Sequence, residues 1–161
     1  MAYWPSEEWM SLFKDAINAS PEYKAAAANW EGTMAYVFQA EPDKGLLEDV
    51  CGFFDLWHGE CRDARQIPVE DAATAAFVIA APYSIWKQVM KRQLDPIKAI
   101  MQGKMRMKGD LPTVVRNTKA AQVLNEVAGT VPSEYLDELP SEVIEELAAQ
   151  GLPVRVPPGR S

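Results

Sequence analysis

Apolar residues recur along this chain with two different periods, and the places where the period changes divide it into elements. In residues 6–18, Trp9, Leu12, Phe13, Ala16 and Ile17 fall at the i, i+3, i+4, i+7, i+8 spacing of one buried helical face. Ser6 stands where it can cap that helix, and Glu7 and Glu8 suit the positive end of its dipole. Ser20-Pro21-Glu22 starts a second helix, with serine as cap and proline in the first turn, that runs through the alanines to about Trp30.

After Gly32 the pattern turns extended. Residues 33–40 (TMAYVFQA) are rich in β-formers, and Pro42-Asp43-Lys44-Gly45 reads as a turn. A second strand is predicted over 49–57 (DVCGFFDLW), with His58-Gly59 as a tight hairpin. A third, 61–69 (CRDARQIPV), is polar and interrupted by Pro68, which suits an edge. The fourth, 73–81 (ATAAFVIAA), is apolar on both faces and suits a central position.

The helical period then returns. Pro82 begins a helix through Trp86, Val89 and Met90, and Asp95-Pro96 starts another with Ile97, Ile100 and Met101 on one face. Gly103 closes it, and 104–108 alternates basic residues with Met105 and Met107, the mark of a half-buried strand. Asp110 caps a further helix with Leu111, Val114, Val115 and Thr118 as its stripe; the stripe drifts beyond Ala121, which allows two helices there. Pro-Ser pairs at 132–133 and 140–141 predict helix starts, and the final residues 153–161 read as extended or disordered.

Composition narrows the function classes. The chain has 161 residues, the size of one domain, with 48% apolar and 24% charged residues and a net charge of −7. That charge disfavours nucleic acid as a partner, and more weakly an anionic membrane. Yet Lys87, Lys91, Arg92, Lys98, Lys104, Arg106 and Lys108, seven of the 16 basic residues, fall in the 87–108 segment, opposed there only by Asp95. Residues 131–150 carry six acidic residues and no basic one. The basic run is therefore expected either to attract an anionic headgroup or lipid surface, or to dock the acidic segment, which would then cover the rim of a pocket and gate it.

No catalytic constellation competes with these features. Cys51 and Cys61 flank the predicted hairpin; with a two-residue turn Cys61 faces Leu56 and not Cys51, so two free thiols are expected, in keeping with a reducing compartment, the cytoplasm. MAYWPSEEW has no basic start or apolar run of a signal peptide, and the apolar stretch 72–81 is too short to cross a bilayer. His58 is the sole histidine, no G-x-S-x-G, P-loop or dinucleotide fingerprint occurs, and no metal site or cofactor is expected. The methionines Met90, Met101, Met105 and Met107 stand on apolar faces, where a flexible, polarizable side chain suits a pocket that adapts to its ligand.

YSIWKQVM (83–90) followed by LDPIKAIMQGKMRMKGDL (94–111) resembles the sterol carrier protein 2 family, and the likeness extends over roughly residues 6–130. The resemblance implies an α+β fold: a five-stranded mixed sheet covered on one face by helices, with an apolar tunnel between them for sterols, fatty acids, acyl-CoAs or phospholipids. It implies a non-enzymatic carrier that buries an apolar chain, each methylene contributing about 0.8 kcal/mol. The chain departs from familiar members in its acidic extension, 131–161, and in ending GRS instead of a peroxisomal signal, which points to an acyl lipid before a sterol.

On this reading the cavity is expected to be lined by Phe54, Leu56, Phe77, Ile79, Trp86, Met90, Ile97, Met101, Met105, Met107 and Val115, with Phe38 a further strand residue for its floor. The expected partners are a lipid or fatty-acyl molecule and, transiently, a membrane touched through the basic 87–108 region. Two other readings stay open: an accessory subunit with this fold and no ligand, and an enzyme acting on an acyl thioester with His58 as base.

Overall fold

The computed structural model describes residues 2–160. In chain order its elements are β1 (Ala2–Trp4), α1 (Glu7–Asn18), α2 (Pro21–Ala26), β2 (Glu31–Gln39), β3 (Val50–Trp57), β4 (Glu60–Ile67), β5 (Phe77–Pro82), α3 (Tyr83–Met90), α4 (Pro96–Met101), β6 (Arg106–Lys108), α5 (Leu111–Arg116), α6 (Thr118–Thr130), β7 (Ser133–Tyr135) and α7 (Ser141–Ala149). Local chemistry sets several boundaries. Ser6 Oγ accepts from Trp9 N at 3.2 Å, Ser20 Oγ from Tyr23 N at 3.1 Å, and Asp95 Oδ2 from Lys98 N at 2.9 Å, so three predicted caps close the first turns of α1, α2 and α4. His58 and Gly59 both adopt positive φ, 51° and 83°, as a two-residue hairpin turn needs.

Five strands form a mixed sheet in the order β4-β3-β2-β5-β6; β2 and β5 are parallel and the other neighbours antiparallel. The polar strand β4 lies at one edge, and β5 is flanked on both sides. Period-two alternation sorts the side chains. Met34, Phe38, Phe54, Phe77 and Ile79 join the main core under the helices, while Ala35, Val37, Cys51 and Ile67 face the other way. That second face is covered by the 3₁₀ turns of Val69–Thr74 through Ala72 and by Ala75. Leu56 pairs with Cys61, so the thiols lie on opposite faces, free and buried.

The structure corrects several sequence expectations. The second helix ends at Ala26, well before Trp30. The strand predicted over 73–81 begins at Phe77, because the 3₁₀ turns, fixed by Thr74 Oγ1 donating to Asp71 O at 2.7 Å, occupy the residues before it. The break in the last long helical stretch falls at Asn117, whose Nδ2 donates to Thr113 O at 2.8 Å, and not after Ala121. Pro132-Ser133 starts no helix. Residues 133–135 pair in parallel with β1, and Ser133 Oγ accepts from Trp9 Nε1 at 2.7 Å instead of capping a turn. The helix predicted from 140–141 is present as α7.

The acidic extension packs on the fold. Leu136 and Ile144 are fully buried, and Val154 bridges Leu46. Asp137 sits 3.0 Å from Lys87 Nζ, Glu138 contacts Lys87 and lies 3.1 Å from Lys91 Nζ, and Tyr83 donates its hydroxyl to Asp137 Oδ1 at 2.7 Å. Arg155 N donates to Gly45 O at 2.9 Å, so the tail is extended and anchored. The acidic segment thus docks on Lys87 and Lys91, while Lys98, Lys104, Arg106 and Lys108 stay exposed. Among the described residues no helix is long and apolar enough to cross a membrane.

Candidate ligand-binding cavity

Between the sheet and the helices lies a cavity whose space open to the centres of water molecules is about 80 Å³. Its sheet wall is Met34, Tyr36 and Phe38 of β2, with Leu56 of β3 and Ile79 of β5. Alternate residues of one strand face one side, so β2 contributes every second side chain. Helix α3 brings Trp86, Val89 and Met90, and α1 brings Trp9 and Phe13. Helix α6 presents the small residues Ala120, Ala121 and Ala128, which leave the space unfilled.

Exposure gives the cavity a direction. Trp4, Phe13, Phe38 and Leu56 are buried to within 1% and form its depth. Pro96, Ile97 and Ile100 of α4, with Asn117, Ala121 and Asn125 beside or on α6, are only half-buried and form its open side. Among the described residues no charged one lines the cavity, and the two asparagines bring amide donors and acceptors to its open side. Burial above all, then the neighbouring Tyr23 and Cys61, holds the Tyr36 hydroxyl above the usual tyrosine range, so it stays neutral at physiological pH.

Of the residues expected to line a cavity, Leu56, Ile79, Trp86, Met90, Ile97 and Met105 border this one. The other five do not. Phe54 lies behind Tyr36, at a ring distance of 5.1 Å, and against Phe13 at 5.5 Å. Phe77 packs on Trp30 at 5.0 Å. Met107 is half-buried opposite Ile79 on edge strand β6. Met101 is 67% exposed and Val115 45% exposed, because the buried face of α4 is Ala99 and that of α5 is Val114. The α1 and α2 contributions, Trp9, Phe13 and Tyr23, were not expected from the sequence, although the face of α1 was legible as core. The alternation of Met34, Tyr36 and Phe38 was the signal for the sheet wall.

His58 is exposed at the hairpin tip, with Nε2 3.0 Å from Glu31 Oε2, and lies outside the cavity. The thioester reading therefore loses its base. Burial raises the Cys51 thiol to about 11, and burial, partly offset by the hydrogen bond to Asp63 O, raises Cys61 to about 12; neither is a nucleophile at neutral pH.

A family model described as the SCP-2 sterol transfer family matches residues 13–122. A crystal structure of sterol carrier protein 2 superposes with a TM-score of 0.73 at 35% identity, over 79% of this chain and 98% of that one. The solution structure of a conserved hypothetical protein from Thermus thermophilus, put forward there as a possible sterol carrier protein, gives the same TM-score, 0.73, and identity, 35%, covering 80% of this chain and 90% of its own. Sterol carrier protein 2 from Yarrowia lipolytica, in its apo form, shares the fold at a TM-score of 0.52 and 12% identity, over 75% and 89% of the two chains. No curated protein matches the chain. Strands β1 and β7, helix α7 and the last turns of α6 lie outside the matched residues.

Proposed function

The chain belongs to the SCP-2 sterol transfer family, and from that membership and its cavity we propose that it is a non-enzymatic carrier of an acyl lipid or similar amphiphile. The carrying observation is a cavity with apolar depth, two asparagines at its open side and, among the described residues, no charged one in its lining. An apolar chain leaving water for that depth gains about 0.8 kcal/mol per methylene, and the asparagines orient the polar end. Leu56, Ile79, Trp86, Met90, Ile97 and Met105 are the ligand-contacting residues on this reading, with the strand residues Met34 and Phe38.

At about 80 Å³ of water-centre space the cavity is narrow, so a long chain must displace its walls. Methionines 34, 90 and 105 yield most readily. Helix α4 buries only Ala99 fully and stands at the open side, so on this reading it is the element that swings outward. Around it Lys98, Lys104, Arg106 and Lys108 are exposed, as is Met101. Four such cations are worth roughly 1 kcal/mol each at an anionic surface, and this supports transient membrane contact at the cavity's open side. The free buried thiols support a reducing compartment, the cytoplasm, and the single main core running from Ala2 to Val154 supports one domain.

The test is native mass spectrometry of the protein from its own host, then organic extraction, followed by titration with a fluorescent fatty acid. A stoichiometric lipid, displaced by the probe, is the expected result. A protein that is empty and also fails to bind the probe overturns the carrier reading. It would favour the accessory-subunit reading, which the narrowness of the cavity already supports.

A further inference from the structure

Two tyrosines border the cavity, Tyr36 on β2 and Tyr23 on α2. Among the described residues, Trp4 Nε1 is the one buried side-chain nitrogen or oxygen with neither a hydrogen-bond partner nor accessible surface. The two tyrosine hydroxyls also make no hydrogen bond among the described residues, so they keep surface that a water molecule can reach. That surface opens into the cavity. Tyr36 stands on a strand paired on both sides, with Gly52 and Ile79 as its ladder partners. Its ring lies 5.1 Å from Phe54 and 4.9 Å from Trp86. Met34 and Phe38, on the same face, are 7% and 1% exposed, yet Tyr36 between them is only half-buried. Tyr23 meets it from the helical layer and is 2% exposed. Burial and then Cys61 raise the Tyr23 hydroxyl, and burial, Tyr23 and Cys61 raise that of Tyr36, so these groups stand close together and the phenols stay protonated. Cys61 is already paired, its Sγ donating to Asp63 O at 3.2 Å. Its ladder partner is Leu56, a residue of the depth, which puts the two phenols at the buried end.

We propose that the hydroxyls of Tyr36 and Tyr23 bind a hydroxyl carried on the buried part of the ligand, so that the cavity prefers hydroxylated acyl chains to plain ones. Phenylalanine at either position would fill the same space with no oxygen to satisfy. A phenol both donates and accepts, as an alcohol does, so each completes the other. A plain methylene chain would instead cover the two oxygens and leave them unpaired. A carboxylate at this end would meet no counter-charge among the described lining residues and would stay in water. The pair therefore reads a neutral oxygen in the chain, while the asparagines meet the head at the open side.

The inference rests on the carrier reading, and the experiment separates the two. On the full chain, a fluorescent fatty acid is displaced by palmitate and by hydroxypalmitates substituted at successive carbons of the distal half. In wild type at least one hydroxypalmitate should bind more tightly than palmitate. Its affinity relative to palmitate should fall roughly tenfold in Tyr36→Phe. A second measurement needs no variant to fold. With tyrosine labelled at Cζ, a resonance of the wild-type protein should move further on adding the favoured hydroxypalmitate than on adding palmitate. If no hydroxypalmitate is favoured, if Tyr36→Phe leaves the ratio within about twofold, or if both ligands move the Cζ resonances equally, the role of the tyrosine pair is overturned and the carrier stands. Failure of the fluorescent fatty acid itself to bind overturns both.

Discussion

Asp137 is the joint between the C-terminal extension and the rest of the fold, and replacing it tests how firmly the extension is held. Its Oδ1 accepts from Tyr83 Oη at 2.7 Å, and both carboxylate oxygens lie 3.0 Å from Lys87 Nζ. Tyr83 is fully buried, and the Lys87 and Asp137 side chains are 18% and 13% exposed. Asp137→Ala leaves the Tyr83 hydroxyl without an acceptor, at about 1–3 kcal/mol. It also takes one of two carboxylates from Lys87, which keeps Glu138, so that loss is about 1 kcal/mol. The sum is about 2–4 kcal/mol. With a urea slope of about 2 kcal/mol/M, the midpoint should fall by about 1–2 M. Asp137→Asn preserves an acceptor for Tyr83 and should cost only about 1 kcal/mol, with Lys87→Met between the two. The assay is urea unfolding followed by far-ultraviolet circular dichroism. An alanine variant within about 0.5 kcal/mol of wild type, or asparagine as damaging as alanine, would refute the assignment of Asp137 as the joint.

Three further outcomes are expected. Gly59→Ala should cost at least about 1–2 kcal/mol in the same urea assay, because φ is +83° there and a Cβ would stand 2.7 Å from Lys24 Cα; an unchanged midpoint would contradict it. Cys51 and Cys61, protonated and buried, should leave a colorimetric thiol reagent unreacted at pH 8 until urea unfolds the chain, and prompt reaction of either would contradict their placement. The pH dependence has two limbs. Burial alone would lower Lys87, but Glu138 and Asp137 raise it above 10.5, so its stabilisation is present below that value and lost as pH rises through the raised one; Glu138, lowered from 4.5 chiefly by Lys87, contributes above 4.5 and loses that as pH falls through its lowered value. Urea midpoints that rise on either limb would contradict this.

Much of the fold was legible because its signals are local. Ser6, Ser20 and Asp95 mark helix starts by chemistry that operates within three residues. His58-Gly59 sets the register that puts Leu56 opposite Cys61. Lost were the features that depend on distant pairing or on helical phase. Ala2–Trp4 becomes a strand only because 133–135 lies beside it, and three residues carry no period of their own. In the six-residue helices α4 and α5 a step of 100° per residue separates inside from outside, and too few apolar positions average out the error. Ile100 and Val114 therefore line the cavity while their neighbours Met101 and Val115 face solvent.

The extension changes what the acidic segment can be asked to do. A cover over the open side would have to lie across α4 and the asparagines, and no described residue after Ala128 borders the cavity. Instead the segment grips α3 from outside, through Lys87, Lys91 and Tyr83, and its strand β7 holds β1 in register. Trp86 and Met90 are on that same helix and line the cavity, and Trp4 is the last residue of β1. Removing the extension would therefore take away supports of the cavity wall and expose the surface that buried Leu136 and Ile144. Each of those side chains is worth about 1.5–3 kcal/mol on burial. The energetic weight of the extension thus falls on the shape of the cavity's depth. On the carrier reading access runs past α4, and no described residue of the extension lines the cavity there.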